Sequence, residues 1–233
     1  MATPTFSQIT PHIFKLDLPY IGGVIRVGVW LVRDETGWML VDAGVPGSEK
    51  RVMEQVLKQT GGELPELLIL THGHADHAGA AFDMRTQWKL RVAAGRDEIP
   101  YLIGPKHYSR LPGPIPYRIL QLSRTSMVGL NVQLPLDDGM RVGPFEVYHA
   151  PGHAPGHIAL LHREDEALVC GDVFVSRGGK AGNPRGMFTY DMALNRKSQA
   201  RLARLDFKHL LVSHGAPILN EGAARARELA NGR

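Results

Sequence analysis

Hydrophobic and β-branched residues dominate VIRVGVWLV (24–32) and return in WMLVDAG (38–44) after the turn-forming DETG. This pattern predicts two strands joined as a hairpin. Ser48 stands at a cap position, and SEKRVMEQVLKQT (48–60) predicts a helix that stops at Gly61-Gly62. LPELLILT (64–71) is a short, continuous apolar run and therefore predicts a strand buried on both faces. THGHADH (71–77) is the loop leaving that strand, DHAGAAFDMRTQW (76–88) the next helix, and KLRVAA (89–94) a short strand before a helix beginning near Arg96.

Residues 104–127 are rich in proline and in basic and aromatic side chains, which predicts a loop. Two readings of it stand side by side: a lid over a site, and a rigid surface excursion or dimer contact. Strands resume near MRVG (140–143), PFEVYHA (144–150), HIALLHR (157–163) and EALVCGDVF (166–174). The loop SRGGKAGNPRG (176–186), a helix over NRKSQARLARL (195–205), a strand in HLLVSHG (209–215) and a last helix over NEGAARARELA (220–230) complete the chain. Both halves run from strands to helices with no linker between them. The expectation is one α/β domain over residues 1–233, a four-layer sandwich of two sheets covered outside by helices.

Composition narrows the function classes. Hydrophobic residues make up 43% and charged residues 21%, as in ordinary globular chains. The formal charge is only +4 and the Lys and Arg residues are scattered, so no nucleic-acid surface is expected. A lone cysteine, Cys170, rules out an internal disulfide and fits a reducing compartment. The N-terminus lacks a secretory pattern and no run of apolar residues is long enough to cross a membrane, so a cytoplasmic protein without a membrane partner is expected.

The eleven histidines are the unusual feature, and their positions matter more than their number. In an extended segment His72 and His74, two apart, point the same way and can grip one ion. Asp76 and His77 lie beyond the bend, facing a neighbouring position. Imidazole and carboxylate together suit divalent transition metals. More donors are needed, and three stand at strand ends beside Gly or Pro: His153 in APGHAPGH, Asp172 in VCGDVF and His214 in VSHG.

These segments resemble the metallo-β-lactamase-fold hydrolase superfamily, in its glyoxalase II and lactonase-like branch. THGHADH matches the His-x-His-x-Asp-His signature, and VDAG, PGHAPGH, CGD and SHG match its other motifs in chain order, over roughly residues 24–215. The resemblance implies an αβ/βα sandwich with metals at the edge of the two sheets. It implies that His72, His74 and His153 hold one metal, that Asp76, His77 and His214 hold a second, and that Asp172 bridges them. Asp42 of VDAG then orients a ligand. Two divalent ions, zinc first, with manganese and iron fitting the same donors, would supply a bridging hydroxide. The implied reaction is hydrolysis of a small ester, lactone, thioester or phosphoester, with Asp76 as the proton carrier and Tyr190 as a candidate oxyanion donor.

The remaining positions receive plainer readings. His157 supports the PGH turn or packs in the next strand, and His12, His107, His149, His162 and His209 are ordinary polar residues. Cys170 is a buried small apolar residue. Arg177, Lys180 and Arg185 are favoured as a solvated loop over an anion-receiving one. Glyoxalase II enzymes carry an extra C-terminal region, whereas 19 residues follow His214 here. Asp172 argues against the penicillin-hydrolysing members, and Val175 stands where the lactonases carry a tyrosine. The alternative of another reaction class is a mononuclear iron persulfide dioxygenase, whose sequences keep much of the same signature. The partner is a small-molecule substrate, with a homodimer compatible.

Overall fold

In the segment LLIL, Leu67 and Ile69 point one way and Leu68 and Leu70 the other, and all four are buried. A strand with apolar surface on both faces needs a layer on each side. The computed structural model, which describes residues 4–104, 106–111 and 129–232, supplies both.

The first sheet has the order β1 (Ser7–Gln8), β2 (Ile13–Tyr20), β3 (Ile25–Arg33), β4 (Trp38–Val41), β5 (Leu67–Leu70), β6 (Arg91–Gly95) and β7 (Leu134–Leu136). Strands β1 to β4 pair antiparallel, and β4 to β7 pair parallel. The second sheet takes its strands from the other half of the chain. These are β8 (Arg141–Val142), β9 (Phe145–His149), β10 (Ile158–His162), β11 (Ala167–Val169) and β14 (His209–Leu211). Its last pairing, β11 with β14, is parallel.

Three buried clusters define four layers. Trp30, Met39, Val41 and Ile69 of the first sheet meet Phe145, Val147, Leu160 and Val169 of the second. The outer face of the first sheet, through Val29, Leu40 and Leu68, packs on α1 (Glu49–Thr60) and α3 (Ala81–Trp88). The outer face of the second, through Leu161, Leu168 and Leu210, packs on α5 (Met192–Leu202) and α6 (Gly222–Ala230). This is the expected αβ/βα sandwich.

Several elements depart from the sequence reading. The helix expected over 76–88 is two pieces, α2 (Ala75–Ala78) and α3, parted at Gly79, whose N–H donates to the Gly44 carbonyl at 3.1 Å and whose close approach to Pro46 leaves no room for a side chain. The helix near Arg96 is the short α4 (Ile99–Leu102). Part of the loop read over 176–186 is a hairpin, β12 (Val175–Arg177) with β13 (Lys180–Gly182), turned by Gly178 and Gly179 at positive φ. Helix α5 begins three residues before the expected start, where the Asp191 carboxylate accepts the Leu194 N–H at 2.9 Å. Most of the proline-rich stretch over 104–127 lies outside the described residues. Among the described residues, no helix is long and apolar enough to cross a membrane.

Candidate metal centre

Strand β5 ends at Leu70, and the chain then delivers His72 and His74, the latter in extended backbone, before turning into α2. That single helical turn carries Asp76 and His77, its His77 N–H bonded to the His74 carbonyl at 2.9 Å. His153 comes from the loop before β10, Asp172 from the loop after β11, and His214 from the loop after β14. Both sheets therefore contribute donors at one edge.

The structure brings all seven together. Within each of three groups, His72/His74/His153, His72/His77/Asp172 and Asp76/His77/His214, the donor atoms lie within 4.8 Å of one another. Asp172 reaches the His77 Nε2 at 3.3 Å, the His153 Nε2 at 3.4 Å and the His214 Nε2 at 3.2 Å. Asp76 Oδ2 lies 3.2 Å from the His214 Nε2.

The opposite ring nitrogens are occupied, which orients four of the five imidazoles. His72 Nδ1 faces the Thr71 hydroxyl at 3.1 Å, and His77 Nδ1 faces Asp42 Oδ2 at 2.8 Å. His153 Nδ1 faces the Thr189 hydroxyl at 3.3 Å, and His214 Nδ1 donates to the Arg26 carbonyl at 2.8 Å. Each leaves Nε2 for the centre. His74 differs, with its Nδ1 at 2.9 Å from the His153 Nε2. Buried His72 Nε2 has no hydrogen-bond partner, the mark of a donor that needs an ion. Imidazole and carboxylate donors so arranged fit divalent transition metals.

Charge tells the same story. Burial holds His72 well below the ordinary histidine range and His153 at about 4, so both are neutral and able to donate a lone pair. Burial opposes charge on His77 and His214 as well, but Asp172 and the neighbouring carboxylates outweigh it, raising His77 well above its usual value and His214 to about 10. Burial likewise opposes ionisation of Asp76, yet His77 and His214 hold it at about 2. This half of the site attracts positive charge.

Asp42 sits at φ 62, an uncommon backbone for a residue other than glycine. The strain sets its buried carboxylate between the Thr71 N–H at 2.8 Å and the His77 ring. His157 accepts the Asp172 N–H at 3.1 Å and stacks on His72 at 4.7 Å, a supporting role. Cys170 is fully buried among apolar neighbours, which pushes its thiol pKa up. His107 caps a short turn, its ring accepting the Ser109 N–H, and belongs to none of the donor groups. Tyr190 packs on the helix-side core, and its main-chain N–H donates to the His153 carbonyl at 3.2 Å; its phenol does not line the cavity.

Two positioning devices escaped the sequence reading. The buried Glu98 carboxylate accepts the N–H groups of Gly73 and Gly156, each at 2.7 Å, together with the Tyr108 hydroxyl. It joins the loop of His72 and His74 to that of His153. The second device is the inner face of α5. Asn195 and Gln199 donate to the Val173 carbonyl at 3.1 and 2.8 Å, and Ser198 donates to the Pro151 carbonyl at 2.6 Å. The signal was present as polar residues at helical spacing (i, i+3, i+4), but spacing alone does not tell a buried polar face from a wet one.

A cavity of about 610 Å³ opens onto His74, Asp76, His153, Asp172 and His214. A second cluster with donor atoms within 4.8 Å, His12, His162 and Asp165, is a different case. Its carboxylate is saturated by the Thr10 hydroxyl, the His12 N–H at 3.0 Å and the His12 ring at 2.7 Å.

Residues 22–215 match the family described as the Metallo-beta-lactamase superfamily. The probable metallo-hydrolase YybB of Bacillus subtilis (strain 168) is 26% identical over 216 residues, 91% of each chain. The hydroxyacylglutathione hydrolase GloC of Haemophilus influenzae is 30% identical over 156 residues, 66% of this chain and 69% of that protein. Among solved structures, TTHA1623 in a di-iron-bound form superimposes with a TM-score of 0.66 at 25% identity, over 90% of this chain and 98% of that one. The fold and these relatives place the chain in the metallo-beta-lactamase superfamily, to which it belongs as a metal-dependent hydrolase.

Proposed function

We propose that this chain is a dinuclear hydrolase of a small ester, lactone, thioester or phosphoester. His72, His74 and His153 would hold one divalent ion and Asp76, His77 and His214 the other, with the Asp172 carboxylate within 3.4 Å of His77, His153 and His214. One observation carries the reading: donors from loops of both sheets converge as two triads around a single carboxylate. It also favours one domain, because neither sheet has a complete set. Zinc is the first choice, with manganese and iron accepted by the same donors.

When bound, the metals lower the pKa of water from about 15.7 towards 7 and polarise the substrate oxygen. The chain does the rest. Thr71, Asp42, Thr189 and the Arg26 carbonyl fix the imidazoles, and the ~610 Å³ cavity admits a small molecule. Asp76 takes a proton from the attacking water and hands it to the leaving oxygen or sulfur. Water's oxygen bonds to the acyl carbon or phosphorus, the bond to the leaving group breaks, and an acid and an alcohol or thiol depart.

The likeness to GloC supports a thioester among the substrates. The matched segment is 66% of this chain and 69% of GloC, so the two are of similar length and a short chain does not argue against that chemistry. A mononuclear iron dioxygenase would use only three donors while keeping much of the same signature, so the metal count and the reaction separate the two readings. Elemental analysis of the purified protein, paired with chromogenic esters, lactones, thioesters and phosphodiesters, tests the reading. Two metals with hydrolysis support it; one iron with oxygen uptake on glutathione persulfide overturns it.

A further inference from the structure

Arg26, Arg177 and Arg185 line the same cavity as the metal donors. They come from three places: the start of β3, the end of β12, and the residue before the turn Gly186–Phe188. None forms an ion pair among the described residues; the Arg26 guanidinium makes one hydrogen bond, to the Asp17 carbonyl at 3.3 Å. Elsewhere on the surface, Arg96, Arg163, Arg201 and Arg225 each have a carboxylate partner. The carboxylates lining the cavity among the described residues are Asp76 and Asp172, both committed to the metal centre. Arg26 is also fixed relative to that centre, because its carbonyl accepts the His214 Nδ1–H.

The rest of the described wall mixes the polar Tyr20 and Ser176 with apolar side chains. Ile21 and Val24 at the β2–β3 turn are 56% and 87% exposed at the lip, and Val175 and Phe188 lie deeper. Three guanidinium groups with no carboxylate partner among the described residues, beside a metal-binding centre, make a positive pocket with apolar side chains at its edge. Guanidinium groups suit carboxylate and phosphate oxygens, and exposed apolar side chains suit a short hydrocarbon segment.

We propose that the substrate is an anionic amphiphile: an ester or thioester carrying a carboxylate or phosphate, separated from the scissile bond by a short apolar segment. The anion sits among Arg26, Arg177 and Arg185. This rests on the hydrolase reading and narrows it.

The metal-loaded protein is assayed with 4-nitrophenyl pentanoate and with the mono-4-nitrophenyl ester of glutaric acid, which share a leaving group and chain length and differ in charge. The glutarate ester is expected to have the higher kcat/KM, by about tenfold. Added salt should shrink that ratio, because the arginines are exposed. Arg177→Ala with Arg185→Ala should bring it towards one, whereas Lys180→Ala, outside the cavity, should keep it. An ester ending in phosphate tells which anion is preferred.

Calorimetric binding of pentane-1-sulfonate against pentan-1-ol reads the same subsite without turnover. Sulfonate binding that is lost in the double variant supports the proposal even if neither ester is hydrolysed, an outcome that would count against the hydrolase reading alone. Equal kcat/KM for the two esters, or sulfonate binding that is absent or unchanged in the double variant, overturns it.

Discussion

The carboxylate of Glu98 accepts the N–H of Gly73 at 2.7 Å, between His72 and His74 in the chain. The same carboxylate holds Gly156, so one fully buried side chain sets the spacing between the two loops that carry the first triad. Glu98→Ala would orphan the two buried N–H groups, at a cost of about 1–3 kcal/mol each, and would remove the bond from the Tyr108 hydroxyl. The variant is expected to melt well below the parent and to lose metal affinity at the His72/His74/His153 site first. Thermal unfolding combined with chelator competition checks this. Equal weakening of both metal sites would mean that Glu98 acts on the fold as a whole.

Gly152 precedes His153 at φ +132, and a Cβ there would collide with the main chain of Asn195 on α5. Gly139 also has positive φ, +78, but has open space around it. Gly152→Ala should therefore cost about 3 kcal/mol or more, and Gly139→Ala only about 1 kcal/mol. Denaturant unfolding of the two variants gives the comparison.

These two glycines illustrate what the sequence could say. The apolar, β-branched run of β3 and the continuous apolar runs of β4 and β5 announced a strand layer covered on both faces, and the layers follow from that. The donors were legible because His, Asp and Gly cluster where apolar runs end. What holds the donors was not. Glu98 looks like any helix-start acid, and Asn195, Ser198 and Gln199 look like a wet helix face, until long-range packing buries them. The β12–β13 hairpin was hidden by its glycines, which read as a loop when their positive φ was in fact the turn.

His12 and Asp165 give a pH signature away from the metals. The Asp165 hydrogen bond, acting against a smaller effect of burial, raises the His12 pKa above 6.5. Burial opposes ionisation of Asp165, but Thr10 and His12 outweigh it and hold its pKa below 3.8. The His12 contribution is fully present below pH 6.5 and fades as pH rises through the raised value. The Asp165 contribution is present above pH 3.8 and is lost as pH falls through the lowered value. His12→Ala should therefore lower Tm more at mildly acidic than at alkaline pH. A Tm difference that does not vary with pH would contradict this.

Replacing donors separates the site from its surroundings. His74→Ala and Asp172→Ala are each expected to abolish hydrolysis and to lower bound metal, Asp172→Ala at both positions because its carboxylate meets His77, His153 and His214. His107→Ala, whose ring caps a turn with Ser109, should retain both metal and rate. Parallel metal analysis and rate measurements on the three variants decide the matter.

The most direct measurement is the number of divalent ions bound per chain, read by elemental analysis after metal loading and repeated on Asp76→Ala. Two ions per chain are expected, falling to about one in the variant while His72, His74 and His153 keep theirs. A single ion in the parent, with the same content in Asp76→Ala, would contradict it.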